Sequence, residues 1–375
     1  MGSYTASRFF VILIALLFTL ISTKRQHNRI RLWYPGFLFV IIFFILGAAL
    51  TFIDTGSRFN QISIFSSPAT QLILDEQIRE NEGVPPLFTR VMHNKVVNYS
   101  RIILTNYSQY VSIDYLFLNG GNPKRMHIPN VGLFYLWQLP LVFIGLYVII
   151  RKRSLAGIFL LAWVIILLLP ASITKDEIPN VYRSLVIIFP LLIIMAIGLY
   201  ELFALRLFTK LKIPLILLIT TIGIWEFIYY QNQYYIHQEV HQPWYRDYAY
   251  KPLLQALESL SPHYQKIIMT KAHSGADIGV LFWSKYDPAT YQAEGSPGDV
   301  SNKGFGKYLF DSRDCPLTID DEGVVTGERG VLYINRGDCQ IVSDDVKVIK
   351  TINWQDNNPA FQILEYVATP TASMK

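Results

Sequence analysis

Long apolar runs decide most of what this chain can become. A hydrocarbon core of about 30 Å needs about 20 mostly apolar residues in helical form, because a helix rises about 1.5 Å per residue and satisfies its own backbone polar groups. Six stretches of the 375-residue chain meet that test: Tyr4–Ser22, Trp33–Ile53, Val131–Ile150, Leu155–Ile173, Val181–Leu202 and Ile213–Tyr230. The first is interrupted by Arg8 and its apolar run Phe9–Ile21 is short, so a signal peptide competes with an anchor there. The basic cluster comes after that run instead of before it, which favours the anchor.

Charge divides the same chain in two. Residues 1–230 hold 20 Lys/Arg and 10 Asp/Glu, whereas residues 231–375 hold 13 and 18. The overall charged fraction is 16%, against roughly 25% in an ordinary soluble domain. A single water-soluble enzyme, a disordered chain, a collagen-like repeat and a disulfide-dense miniprotein are thereby excluded. The expected fold class is a membrane α-helical protein with about six transmembrane helices and a C-terminal extracytoplasmic small α/β domain. Residues 1–53 supply two transmembrane helices, 54–130 an outer loop with amphipathic helices, 131–230 four further transmembrane helices, and 231–375 the α/β domain.

Orientation is set by Lys and Arg in short loops, which stay cytoplasmic. Lys24, Arg25, Arg29 and Arg31 come after the first span, Arg151, Lys152 and Arg153 after the third, and Arg206, Lys210 and Lys212 after the fifth. Alternation then places residues 54–130, the turn 174–180 and the tail from Gln231 outside a cell (plasma) membrane. In the outer loop, Phe88, Met92, Val96, Tyr99, Ile103, Tyr107 and Tyr110 recur at steps of three or four, a helical stripe suited to the bilayer surface or to the tops of the spans. In the tail, Tyr250–Leu260 and Asp277–Trp283 have helical patterns, and Lys266–Thr270, Gly330–Ile334, Val346–Ile352 and Phe361–Tyr366 are strand-like. Cys315 and Cys339 are the only cysteines, and an oxidising compartment would permit a disulfide that spacing alone leaves open.

Most motif-like constellations carry bland readings. His237 and His241 stand at i and i+4, but Glu239 is misplaced for a zinc-protease motif and no third ligand is evident, so no metal site is expected. Gly304-Phe-Gly306 and Gly327-Glu-Arg-Gly330 read as turns, not phosphate loops. Asn98-Tyr-Ser100 and Asn106-Tyr-Ser108 match the glycan-acceptor pattern. Glu201 and Glu226 fall near span ends, where a carboxylate reaches interfacial water.

Ionisable groups at the outer membrane face are more informative, since they are costly there and mark substrate paths. Arg58, Lys124, Arg125, His127, Lys175 and Arg183 are candidates for holding a lipid phosphate, with Asp54, Asp176 and Glu177 as acidic candidates. Arg183 is the sharpest because it lies inside the start of a span. It either snorkels or pairs with Asp176 or Glu177, or its planar fork of donors grips a phosphate or pyrophosphate.

Two segments together carry a family resemblance. Tyr115-Leu-Phe-Leu-Asn-Gly-Gly-Asn-Pro-Lys-Arg-Met-His-Ile-Pro-Asn-Val-Gly132 resembles the outer loop before a late span in integral-membrane glycosyltransferases of the GT-C type. Ile178-Pro-Asn-Val-Tyr-Arg-Ser-Leu185, running through Phe189-Pro190 to Ala196-Ile-Gly198, is similar to a later span of the same proteins. The resemblance is to the group that includes protein O-mannosyltransferases and aminoarabinose transferases, and it covers roughly residues 30–230. Phe282-Trp-Ser-Lys-Tyr-Asp-Pro288 also resembles the segment beyond their last span.

The resemblance implies transfer of a sugar from a polyprenyl-phosphate carrier to an acceptor on the outer face, generally with inversion. The family's principal base is an acidic residue in the first outer loop, and the match here is to the C-terminal half, so the catalytic residue is unknown. Asp54 is a substitute that the family pattern does not support. A second polypeptide carrying the N-terminal half is one expected partner, beside membrane lipid and the lipid-linked sugar donor. No nucleic-acid partner or firm cofactor is expected, and a divalent metal is left open. The alternative class is a non-catalytic membrane protein that binds a lipid-linked glycan or a partner through its outer domain.

Overall fold

The computed structural model describes residues 62–205, 211–271, 275–298, 303–319, 325–340 and 343–367. The expected spans Tyr4–Ser22 and Trp33–Ile53, with Asp54, Arg58, Arg206 and Lys210, lie outside the described residues. The chain divides into two units, Met1–Gln233 and Tyr234–Lys375.

The first α-helices among the described residues of the first unit are α1 (Pro68–Glu80), α2 (Pro86–Met92) and α3 (Lys95–Tyr110). A proline at N1 starts each of the first two, where its missing N–H costs nothing. Asn94 breaks the expected continuous stripe. Its Oδ1 accepts from Val97 N–H at 3.0 Å to cap α3, and its Nδ2 donates to the carbonyls of Arg90 and Val91 at 3.1 and 2.9 Å to close α2. The two glycan-acceptor asparagines are buried, Asn98 donating to Thr70 O and Asn106 to the carbonyls of Ser172 and Thr174. Their amide nitrogens are inside the structure, so the acceptor reading of the sequence is corrected.

Among the described residues, three apolar helices are long enough to cross a membrane, Leu155–Ser172, Val181–Ala204 and Lys212–Val240. Before them in the chain stands α4 (Leu139–Lys152). The first of the three is built from α5 (Leu155–Leu167) and α6 (Leu169–Ser172), the second contains α7 (Val181–Ser184) and α8 (Ile188–Ala204), and the third opens with α9 (Lys212–Asn232). The expected span Val131–Ile150 is shorter than its apolar run, because α-helix begins only at Leu139 and lasts 14 residues. Its first residues are taken by the preceding loop: Phe134 N–H donates to Leu116 O at 2.8 Å, and a Cβ on Gly132 would strike the Phe117 backbone. At about 1.5 Å per residue, α4 covers about 21 Å.

Small residues set the approach of α4 to α8. A Cβ on Gly145 would meet Ile194 O, and one on Gly198 would meet Leu141 O, so the helix backbones come together where only glycine fits. Glu226 of α9 accepts from the N–H groups of Leu136 (2.9 Å) and Trp137 (3.1 Å), and Glu201 pairs with Lys152 at 3.0 Å. Both carboxylates thus have protein partners, and Glu201 keeps 30% of its side chain exposed.

The second unit contains α10 (Tyr250–Leu260), β1 (Lys266–Thr270), α11 (Ala276–Ser284), α12 (Pro288–Ala293), β2 (Lys303–Phe305), β3 (Tyr308–Asp311), β4 (Val331–Arg336), β5 (Val346–Asn353) and β6 (Pro359–Tyr366). The sheet order is β2-β3-β1-β4-β6-β5, with β1 parallel to both β3 and β4 and the other pairs antiparallel. Tyr250, Leu253, Leu254 and Leu257 form the buried stripe of α10 and share a core with Ile267, Met269, Val280, Phe310, Ile334 and Phe361. Central β4 is buried at five of its six positions, whereas edge β5 exposes Lys347 and Lys350, which discourages pairing with a further strand.

Gly304 sits in β2, not in a turn, and a Cβ there would strike Tyr308 O. Gly306, at φ +55°, makes the turn that returns the chain to β3. Cys315 and Cys339 form a disulfide with a Cα–Cα separation of 6.0 Å, joining the segments after β3 and β4. The pairing left open by spacing is thus decided by the sheet: β3 and β4 run parallel on either side of β1, so the segments after them leave the same end of the sheet and bring the two cysteines within bonding reach.

Candidate functional site

The connection between α6 and α7 is tethered from several sides. Its start is held by Ile64 N–H to Ile173 O (3.0 Å) and by Lys175 N–H to Ile62 O (2.8 Å). Asn106 of α3 holds it from a second side through the carbonyls of Ser172 and Thr174. From a third side, Asn122 N–H donates to Pro179 O (2.7 Å), Asn122 Nδ2 to Ile178 O (3.0 Å), and Val181 N–H to Asn122 O (2.9 Å). The peptide bonds Asn122–Pro123 and Ile178–Pro179 are both cis. Gly121 allows this approach, since a Cβ there would collide with Pro179 O and the Tyr115 ring.

Asn180 then caps α7, its Oδ1 accepting from Arg183 N–H at 3.3 Å. That cap directs the Arg183 side chain back under the connection, where only 8% of the residue remains exposed. Arg183 Nη1 donates to Thr174 Oγ1 at 2.8 Å and to the Asp176 carbonyl at 2.6 Å. Arg183 Nε is buried and has no acceptor. Among the described residues no carboxylate lies within ion-pairing distance of this guanidinium. The expected pairing with Asp176 or Glu177 is therefore corrected: Asp176 contributes its backbone carbonyl alone, and Glu177 faces Arg125 at 3.5 Å and Asn180 Nδ2 at 3.2 Å.

Two tyrosines floor the site. Tyr110 and Tyr115 are buried with their rings edge to face at 5.9 Å. The Tyr110 hydroxyl accepts from Asn180 N–H at 3.1 Å, and Tyr115 shares a hydrogen bond with Ser184 Oγ. Burial pushes both phenols up, partly offset at Tyr110 by the Asn180 N–H and the Arg183 charge, and at Tyr115 by the Ser184 contact. They are neutral hydrogen-bonding groups at physiological pH, and neither can serve as a base there.

The remaining candidates sit around the rim. Lys175 is exposed, and Lys124 and Arg125 share one exposed turn with half-buried His127, whose Nε2 contacts Asn119 O. The structure brings Arg125 to Glu177, which cancels their charges locally, and leaves Lys175 and Arg183 as the cations of the connection with exposed Asp176 opposing them. Sequence reasoning passed over Thr174, Asn180, Ser184 and Tyr115 as site residues. An asparagine just before the apolar run Val181–Leu202 is an N-cap signal that could have flagged Asn180; nothing local flags the others.

A guanidinium removed from water without a counterion carries a penalty of several kcal/mol, and Arg183 Nε is a buried donor that no protein acceptor meets. The described residues place no carboxylate against this cation, and no group of three or more His, Cys, Asp or Glu among them is assembled to hold a metal ion. Compared with protein-family models, with curated proteins and with solved structures, the chain matches none.

Proposed function

We propose that this chain is part of an integral-membrane glycosyltransferase of the GT-C type, in which Arg183 holds the phosphate of a polyprenyl-phosphate sugar. The observation that carries this reading is the buried Arg183 guanidinium with an unmet Nε and no carboxylate partner among the described residues, in the first turn of an apolar helix long enough to cross a membrane. The resemblance of segments 115–132 and 178–198 to that family supports it. In this reading six helices span a plasma membrane, and the α6–α7 connection and the tail face outward. The Cys315–Cys339 disulfide supports an oxidising compartment for the tail.

The transfer breaks the bond between the sugar's anomeric carbon and the carrier phosphate and forms one from that carbon to an acceptor hydroxyl. A carboxylate takes the hydroxyl proton, and cations stabilise the departing lipid phosphate. Arg183 supplies the second role, with Lys175 and Arg125 at the rim. The base in this reading is Asp54 or a residue of a second polypeptide carrying the N-terminal half.

The test is equilibrium binding of an undecaprenyl phosphate to the full chain in nanodiscs. Arg183→Lys keeps the charge but loses the planar fork, and is expected to weaken binding about tenfold, roughly the 1.4 kcal/mol of one good charge-assisted bond. Unchanged binding in a normally inserted variant removes Arg183 from this role. The engagement of Glu177 by Arg125 and Asn180 favours, as a second reading, a binding protein without transferase activity. Sugar transfer from a purified polyprenyl-phosphate sugar separates the two.

A further inference from the structure

The Arg183 guanidinium is fastened at one corner. Its Nη1 donates to Thr174 Oγ1 at 2.8 Å and to the Asp176 carbonyl at 2.6 Å, which uses both protons of that nitrogen. The first of these acceptors is a hydroxyl whose other bond runs to Ala171 O at 2.7 Å. A guanidinium has no acceptor and a carbonyl has no donor, so neither partner can exchange its role with the hydroxyl. The single hydroxyl proton therefore points to Ala171 O, and a lone pair faces Nη1.

The backbone that carries this hydroxyl is held as firmly. Thr174 O accepts from Asn106 Nδ2 at 3.1 Å, Thr174 N–H donates to Ala171 O at 3.3 Å, and the residue forms an antiparallel bridge with Ser63. Thr174 is buried, and branching at its Cβ restricts χ1. From the other side, the Asn180 cap fixes the backbone of Arg183 itself. A long, flexible side chain loses conformational entropy when it is ordered. Here the ordering is in place before any ligand arrives, which is the condition for tight recognition.

We propose that Thr174 is a positioning residue for phosphate recognition, an inference that rests on the assignment of Arg183 to the carrier phosphate. Its hydroxyl keeps Nη1 bonded within the protein and thereby reserves for the phosphate the Nε donor, which no protein acceptor meets. Thr174 acts through the guanidinium and makes no contact of its own with the ligand.

The experiment titrates undecaprenyl phosphate into the full chain in phosphatidylcholine nanodiscs, with undecaprenol as the control for binding through the tail alone. Thr174→Val keeps the branching but has no acceptor, and is expected to weaken binding of the phosphate lipid about fivefold. Thr174→Ser keeps the hydroxyl and should stay within about twofold of the native chain. Thr174→Ala provides a second hydroxyl-free chain where the valine variant inserts poorly. In an Arg183→Met background, which has no donor to hold, Thr174→Val should change binding by less than about twofold. Native-like binding by the valine and alanine chains overturns the proposal. So does a serine chain as weak as the valine one, a valine effect undiminished in the Arg183→Met background, or an equal loss with undecaprenol. Each of those results leaves Arg183 in its role, whereas native-like binding by Arg183→Met alone removes the phosphate assignment and this proposal together.

Discussion

Two arginines, one in each unit, show opposite ways of placing a cation in a fold. Arg313 lies just after β3, with its side chain more than half exposed, and is gripped by the buried Asp311 through Nε (3.0 Å) and Nη2 (2.6 Å). Arg183 is the buried partner of no carboxylate, with two acceptors on Nη1 and none on Nε. In the sheet unit the carboxylate is the buried group and the cation covers it, so the charge is met inside the fold. In the helical unit the cation itself is buried, and no carboxylate among the described residues neutralises it. A matched pair of the first kind is a stabilising device, whereas an unmatched buried cation of the second kind is costly unless something else binds.

The largest effect should come from blocking the close crossing of α4 and α8 in the first unit. Gly198→Leu drives a side chain into Leu141 O and toward Gly145 N, and should destabilise the first unit by about 3 kcal/mol or more through overpacking. Thermal unfolding in nanodiscs should shift strongly, while Cys315 and Cys339 stay protected from thiol reagents. Equal damage to both units would mean that they do not fold separately, and that the two arginines cannot be compared as local choices.

Next in size is Asp311→Asn. It removes the charge and one acceptor oxygen of the bidentate contact, while the amide Oδ1 still accepts from Arg313 N–H, at an expected cost of about 1–2 kcal/mol, kept modest because the freed arginine rehydrates. Hydrogen exchange in β1 and β3 would report it. Arg183→Gln should change the stability of the first unit by less than about 1 kcal/mol, because losing two donor contacts is offset by removing an uncompensated charge. A loss of about 3 kcal/mol or more there, read from the same unfolding curves, would make Arg183 a structural group like Asp311 and erase the distinction.

The smallest effect is a dependence on pH. Burial pushes the Asp311 carboxyl up, but the hydrogen bonds and charge of Arg313 outweigh it and hold it below its ordinary value of 3.8. A lowered folded pKa means that the stabilisation is present above that ordinary value and is lost as pH falls through the folded one. Hydrogen exchange in the sheet unit should therefore speed up below about pH 4 in the native chain, and Asp311→Asn should flatten that part of the profile. Arg183 should show no counterpart, since a guanidinium does not titrate in this range.

How much could be read in advance differs between the regions for physical reasons. The apolar helices are legible because hydropathy over about 20 residues is a local sum. The Val131–Ile150 run misled because apolarity does not say whether a backbone is helical: Gly132 and Phe134 pack on the preceding loop, and α-helix waits until Leu139. The stripe Phe88–Tyr110 misled for a similar reason. Its periodicity is real, but Asn94 ends one helix and starts another, so Tyr110 goes to the buried site while Phe88 remains exposed. In the tail, β1 and β4 to β6 have strand-like patterns, whereas β2 is three residues with a glycine and has no pattern long enough to detect.

Residue order alone thus settled additive, local properties: a charge-poor helical part, a charged α/β tail, and a few outer-face cations of which Arg183 lies within an apolar run. Folding in three dimensions decided which of those cations were cancelled. It set Arg125 against Glu177, closed Cys315 on Cys339, and enclosed Arg183 with Thr174, the Asp176 carbonyl and Tyr110, a residue distant in the chain. The physical reason is that pairing and burial depend on distances in space, and no local sum over residue types contains them.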